Sequence, residues 1–461
     1  MDQGSIIPTN WIIRRVPPDI WRYILCLVQH DSYRPSLQMV CLSHVCRAWR
    51  AIAIAFPELW AQIDLETSAK QGSAPKVELL ALVLERSGAL PLTMTLRVED
   101  DFSVASIEAF KLFCQATDRA KNLTLYLFSF GFLNSYEVEK EIGAGHILEA
   151  LTLYMPRDPW KEIQTISTLW APAPLLRSLS LFGAHITLQL VDSFTASAFP
   201  FRQLSVLNVE PSIEMEALLH IMSMAPSLEA VTIDVVEGDF DDTDDEFVRD
   251  VELPALQSLV LKGRGCFQWS SPPLTQLLKF ITSPLLTTLS LRYDRDWSPE
   301  SFEIFLIQSS PRIEHLHLDI VNSSEQDKIQ CIRLLPFLKT LDFSIDNPEE
   351  RETFIGEEFC AAMKEWNPSA RGFAICPNLE KFTIDYPAIY DPSSTIFADM
   401  VNERLKHSPK GKNFEVVITD AYELGQEQKM LSEMIRLLVL EKAGLKLTIE
   451  PLNWLVELFK R

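Results

Sequence analysis

Apolar residues recur along the chain in one short pattern. L-x-x-L-x-L with apolar substitutions reads LEALTL at 148, LRSLSL at 176, LSVLNV at 204, LEAVTI at 228 and LQSLVL at 256. It continues as LTTLSL at 286, IEHLHL at 313, LKTLDF at 338 and LEKFTI at 379, with weaker copies upstream, AKNLTL at 120 and ALPLTM at 89. The nine stronger copies start 28, 28, 24, 28, 30, 27, 25 and 41 residues apart. Positions 4 and 6 of each copy point to one side of a short strand, because side chains alternate along extended backbone. A strand every ~28 residues leaves about 20 for a crossover, enough for a helix that returns the chain to a parallel neighbour.

Several intervals carry such a helix: DSFTASAF at 192–199, EMEALLHIMSMA at 214–225 and PESFEIFLIQSS at 299–310. Each is followed or closed by a helix-breaking proline, Pro200, Pro226 or Pro311. Strand and helix each keep an apolar face that only a neighbouring repeat can cover, so the repeats must stack. The pattern resembles leucine-rich repeats. That resemblance implies an α/β fold, a curved right-handed solenoid with a parallel concave sheet and outer helices, over 89–461.

The motif's ninth position, by resemblance Asn or Cys, holds Pro156, Ala184, Ser212, Val236, Arg264, Asp294, Val321, Asp346 and Pro387. A side-chain ladder is therefore not expected at the turns, and curvature should be uneven. The 41-residue step places an insertion at 346–373. The stretch 234–252 holds ten acids and one Arg and reads as a solvated, mobile loop. It has no D-x-D-x-D run, which argues against a calcium loop.

The first 65 residues lack the repeat. Ile20, Ile24, Leu27 and Val28 fall at helical spacing after Pro17-Pro18, and Pro18 suits a first turn, where its missing N–H costs nothing. SLQMVCLSHV predicts a second helix. VCRAWRAIAIA predicts a third, opened near Ser43 and ended by Pro57. Three short helices bury little of their surface, so the module should need a partner. The expected division is a helical module at 1–65, a linker helix at 66–88 and the solenoid at 89–461.

The run Val16-Pro17-Pro18-Asp19-Ile20 with Ile24 and Leu25 comes first. Leu42-Ser43-His44-Val45-Cys46-Arg47-Ala48-Trp49-Arg50 follows, then Pro57-Glu58-Leu59-Trp60. Together they are similar to the F-box, and the layout with downstream irregular repeats resembles the large fungal families of F-box-like proteins. Val16 and Asp19 stand where the usual form has Leu and Glu. The resemblance implies a non-catalytic substrate-recognition subunit of an SCF-type cullin–RING E3 ubiquitin ligase. Its F-box would hold a small Skp-type adaptor, and its repeats would hold a protein substrate. Carried over by position, the adaptor contacts are Pro17, Pro18, Ile20, Ile24, Leu25, Val45, Cys46, Trp49, Leu59 and Trp60, expected to divide about evenly between core and interface. The alternative is a repeat scaffold whose F-box-like module recruits no ligase.

Positions 3, 5 and 7 of each motif face away from the leucines. Position 7 reads Tyr126, Tyr154, Phe182, Glu210, Asp234, Lys262, Arg292, Asp319, Ser344 and Asp385. The substrate surface is therefore expected at Tyr126, Tyr154 and Phe182, with Lys262, Arg292, His315 and His317 as a charge-reading patch. Aromatic residues and Arg are the side chains enriched at interface hot spots.

Composition removes other classes. Lys+Arg of 42 against Asp+Glu of 63 gives a net charge of −21, which disfavours a phosphate-backbone ligand. Apolar runs such as AIAIAF at 51–56 are far short of a membrane span. The start MDQGSIIPTNWIIRR lacks a secretory signal's apolar core, and the eight cysteines form no CxxC, so buried thiols in the cytoplasm or nucleus are expected. His315 and His317 alone are too few ligands for zinc, and no hydrolase, kinase or nucleotide-loop motif occurs. No metal, cofactor, membrane or nucleic acid is expected, and no catalytic residue.

Overall fold

The computed structural model describes residues 16–30, 35–67, 77–98, 104–127, 144–156, 163, 166–170, 173–238, 250–263, 274–294, 297–319, 323–344, 355–369, 371–385, 396–407, 414–419 and 430–449. The chain divides into two compact units, Met1–His185 with Gln189–Leu204, and Ile186–Leu188 with Ser205–Arg461.

The first unit opens with helices α1 (Pro18–His30), α2 (Pro35–Ser43) and α3 (Arg47–Ala55), closed by a 3-10 turn at Pro57–Trp60. Cys46, not Ser43, caps α3: its Sγ accepts a hydrogen bond from the Trp49 backbone N–H at 3.4 Å. The module leads directly into a strand, Gln62–Thr67, which pairs in parallel with Leu92–Val98. Ser36 Oγ in α2 donates to the Gln62 carbonyl at 2.8 Å, so the module is tied to this outermost strand. The sheet thus begins before residue 66, and the segment 66–88 contains a crossover helix, Val77–Arg86, rather than a linker between domains. Gln62–Thr67 buries Ile63 and Leu65 as later strands bury positions 4 and 6, but the motif's first position there is Trp60 instead of Leu, which hid the copy.

The unit continues through parallel strands Ala120–Tyr126, Ala150–Tyr154 and Ser178–Ile186. The register puts Ile63, Met94, Leu123, Leu151 and Leu179 side by side, and Leu65, Leu96, Leu125, Leu153 and Leu181 beside them. Every one is buried, and burying each leucine contributes about 1.5–3 kcal/mol. The copy read from 89 is displaced by two residues: Met94 and Leu96, not Leu92 and Met94, align with Leu123 and Leu125. The three apolar residues Leu92, Met94 and Leu96 made the two frames indistinguishable by alternation. The pairing also shifts by one residue between Leu92 and Thr93.

The second unit repeats the design through Val206–Glu214, Ala230–Ile233, Ser258–Lys262, Thr288–Arg292, His315–Asp319, Thr340–Phe343 and Lys381–Asp385. Two further parallel strands, Glu415–Thr419 and Lys446–Ile449, follow where no copy of the motif was legible. Helices Met215–Met224, Pro299–Ser309, Glu325–Arg333, Glu357–Met363, Ile396–His407 and Met430–Lys442 supply crossovers. Leu259, Leu289, Leu316, Leu341, Phe382 and Val416 form one buried row.

Two irregular segments are more ordered at their ends than the sequence suggested. Val236–Glu237 pairs with Ile213–Glu214, and Val251–Glu252 pairs with Ile281–Thr282, so both ends of 234–252 are strand. Residues 239–249 lie outside the described residues. The insertion at 346–373 includes the repeat's own helix, Glu357–Met363, plus a short hairpin of Trp366–Asn367 with Gly372–Phe373. At one ninth position a side chain does bond the neighbouring repeat: the buried Asp294 carboxylate accepts the Thr275 N–H at 2.9 Å and the Thr275 hydroxyl.

Candidate functional site

Helix α1 forms the first candidate surface. Ile20, Tyr23, Ile24, Leu27 and Val28 follow i, i+3, i+4, i+7, i+8 spacing, one stripe of an α-helix. Such a stripe normally faces a core. Here Ile20, Tyr23 and Leu27 are 49%, 64% and 50% exposed, and the residue of α1 that enters the core is Leu25. Val45, Leu37 and Ile54 in the rest of the module are exposed as well. These residues lie together on one short module and are not apolar side chains scattered singly over a surface.

The ten positions carried over from the F-box resemblance separate clearly. Leu25, Leu59 and Trp60 are core. Trp60 donates its indole N–H to the Ala53 carbonyl at 2.6 Å and carries the Arg86 guanidinium 4.4 Å from its ring centre, so no partner can touch it. Pro17, Pro18, Ile20, Ile24 and Val45 are exposed. Cys46 is the half-buried α3 cap, and Trp49 is half-buried against Trp21 at 5.5 Å between ring centres. Tyr23, Leu27 and Val28 complete the exposed stripe and were not among those ten. Leu27 and Val28 already belong to the helical stripe read from the sequence, and tyrosine counted as apolar adds Tyr23.

The outward face of the first unit's sheet is the second candidate surface. Parallel register stacks Glu66, Arg97, Tyr126, Tyr154 and Phe182 in one row. Tyr126 and Tyr154 stack at 4.1 Å and 2° between planes, Tyr154 and Phe182 at 4.7 Å and 15°. The Arg97 guanidinium sits 5.0 Å from the Tyr126 ring centre and is held by Asp64 at 3.1 Å. Arg97 was missed because of the two-residue frame displacement in its strand. At the other end Gly183, just after Phe182 in the same strand, has φ +89°, and a Cβ there would lie 2.6 Å from the Met155 carbonyl oxygen.

The charge-reading patch expected in the second unit is organised differently. Lys262 pairs with Asp234 at 3.2 Å and Arg292 with Asp319 at 3.3 Å, so each cation has a carboxylate beside it. Asp319 has no exposed side-chain surface, and burial pushes its carboxyl up, an effect opposed by Arg292 and His317. His317 is engaged at both ring nitrogens, Nδ1 with Ser290 Oγ at 3.2 Å and Nε2 with the Ser344 carbonyl at 3.1 Å. The Ser344 carbonyl can only accept, so Nε2 carries hydrogen. His315 is exposed on the same strand. His317 is therefore a structural tie, and the cations are internally compensated rather than presented.

Among the described residues no group of three or more His, Cys, Asp or Glu is placed to hold a metal ion, and no helix is long and apolar enough to cross a membrane. Burial pushes the Cys360 and Cys376 thiols up to about 12, leaving them unreactive as nucleophiles.

No family model matches the chain, and no curated protein matches it. Among solved structures the chain is similar to the leucine-rich repeat-containing protein LegL7 from Legionella pneumophila. The likeness has 13% identity and a TM-score of 0.35, and covers 82% of this chain and 97% of that chain.

Proposed function

We propose that the chain is a substrate-recognition subunit of a cullin–RING ubiquitin ligase, with α1 as the docking element for a Skp-type adaptor and the repeat sheet as the substrate platform. The observation that carries this reading is the solvent-exposed stripe Ile20, Tyr23, Ile24, Leu27 and Val28, on a module whose sequence resembles the F-box. A helix that keeps Leu25 in its own core and offers five apolar side chains outward is built to complete its packing against another chain. The repeat sheet adds the second requirement, a broad face whose outward side chains the core does not need.

The test is binding of the full-length chain to a purified Skp-type adaptor. Tyr23→Asp with Leu27→Asp should abolish co-purification while leaving the melting temperature unchanged, because both side chains are exposed. Co-purification that survives this double change sinks the assignment of α1. Failure of the unaltered chain to bind any such adaptor leaves a repeat scaffold without ligase recruitment.

A further inference from the structure

The outward face of the first unit has a chemistry its leucines do not require. Beside the row Arg97, Tyr126, Tyr154 and Phe182 runs a second row two residues earlier on each strand: Thr95, Thr124, Thr152 and Ser180. All eight side chains are half-buried, so each retains accessible surface. Long aromatic side chains next to short hydroxyl-bearing ones form a step that runs across the strands. Its wall is apolar and its floor is hydrogen-bonding and uncharged. Among the described residues of these two rows the ionic groups stand at the outer strand end, where the formal charges of Asp64, Glu66 and Arg97 sum to −1.

We propose that this step binds a proline-rich peptide segment in polyproline II conformation, flanked by basic residues. This deepens the substrate-platform reading above and rests on it. Three observations select that ligand. The first is periodicity. Neighbouring strands stand about 4.8 Å apart, so alternate rungs recur at about 9.6 Å, and a polyproline II helix repeats every three residues at about 9.3 Å. A peptide laid across the strands therefore meets equivalent side chains every second rung, whereas an extended strand, with its roughly 6.8 Å two-residue repeat, falls out of phase. The second is polarity. Polyproline II has no internal hydrogen bonds, so its carbonyls need donors, which a floor of hydroxyls supplies without charge. Aromatic-lined surfaces are the recurrent means of recognising such segments. The third is charge. The step ends on a net negative group, and the chain as a whole carries −21, which favours a ligand with Lys or Arg beside its prolines.

Among the described residues of the second unit the corresponding row holds Lys262 paired with Asp234 and Arg292 paired with Asp319, and the adjacent row is interrupted by His317 bonded to Ser290. Recognition is thereby placed on the strands of the first unit.

The test uses the full-length chain and a fluorescent oligoproline peptide ending in two arginines, with a Gly/Ser peptide of equal length and charge as the control. Anisotropy should show the oligoproline bound about tenfold tighter or better, and Tyr154→Ala should erase that preference. Lys262→Ala should leave it intact. Thr124→Val with Thr152→Val keeps volume while deleting two donors, and should weaken the oligoproline several-fold; this variant decides the matter if Tyr154→Ala does not fold. Equal binding of the two peptides overturns the proposal, as does a preference untouched by the threonine changes. Adaptor co-purification is scored on the same preparations. An unaltered chain that shows no peptide preference yet binds the adaptor overturns this inference alone, and one that shows the preference but binds no adaptor overturns only the ligase reading.

Discussion

Trp60 Nε1 donates to the Ala53 carbonyl at 2.6 Å from a position with no exposed surface. The bond joins the closing turn of the helical module to α3, while Arg86 from the first crossover helix covers the same ring. Trp60 is therefore the brace between the module and the sheet that follows it.

A brace and a contact residue respond differently to substitution. Trp60→Phe retains most of the buried area but leaves the Ala53 carbonyl without its donor, which should cost about 1–3 kcal/mol. Thermal melts should register that loss, while adaptor binding measured well below the transition stays near that of the unaltered chain. A variant that melts normally and binds weakly would return Trp60 to the interface.

The Tyr126–Tyr154–Phe182 stack makes a second prediction. Tyr154 has a ring neighbour on each side and Tyr126 has Arg97 and Tyr154. Stacked aromatic pairs contribute about 0.5–1.5 kcal/mol beyond area burial. A double-mutant cycle on Tyr126→Ala and Tyr154→Ala should return a coupling in that range, while Leu153→Ala, on the buried side of the same strand, should cost about 2–5 kcal/mol. Zero coupling, or unfolding by Tyr154→Ala alone, would contradict the arrangement.

The sequence carried the repeat and its inward face because leucines at positions 4 and 6 have no alternative to burial: Leu151, Leu153, Leu179 and Leu181 were all legible. The crossover helices Met215–Met224 and Pro299–Ser309 match the stretches read at 214–225 and 299–310, whereas Leu188–Ala196 starts four residues before the stretch read at 192–199 and ends three before its close. What was hidden is side-chain pairing across repeats. The position-7 row already set Lys262 beside Asp234 and Arg292 beside Asp319, but alternation alone does not say that these neighbours close ion pairs and so neutralise the cations. The ends of 234–252 were hidden for a related reason: buried Val236 and Val251 are isolated among acids, and composition averages them away. Replacing the whole stretch with a Gly/Ser linker should accordingly lower the melting temperature, contrary to the reading of a loop free of the core.

Glu433 gives a pH-dependent prediction. Burial pushes its carboxyl above the ordinary 4.5, partly offset by the Ala398 N–H it accepts at 3.2 Å and by Arg436. A carboxyl raised in the folded state favours folding when protonated. Its contribution is present below the unfolded value and disappears as pH rises through the folded one. Glu433→Gln keeps an acceptor for Ala398 and removes the charge. Denaturant melts should find the variant more stable than the parent at pH 7, with the gap closing below about pH 4.5. A gap independent of pH would remove Glu433 ionisation as its cause.

Arg404 is 2% exposed and holds together parts of the chain far apart in sequence. Nε donates to the Met363 carbonyl at 2.9 Å, Nη1 to Cys376 at 3.1 Å and Nη2 to Ile375 at 2.8 Å, while the guanidinium lies 4.4 Å from the Phe373 ring centre. Burial lowers its pKa to about 10, so the charge persists at neutral pH and needs those carbonyls. The planar fork reaches three acceptors at once, which a lysine ammonium on a flexible stem cannot do in the same geometry. Arg404→Lys should cost on the order of 3 kcal/mol, from lost charge-assisted bonds of about 1.5–3 kcal/mol each. The loss should be local first, because the bonds end on the segment carrying the Trp366–Phe373 hairpin, whose Trp366 stacks on His407 at 4.1 Å. Hydrogen exchange should quicken at 363–376 before the strands at 258–319 respond. Exchange that quickens everywhere together, or nowhere, would mean that the hairpin is held by its aromatic contacts and not by the arginine.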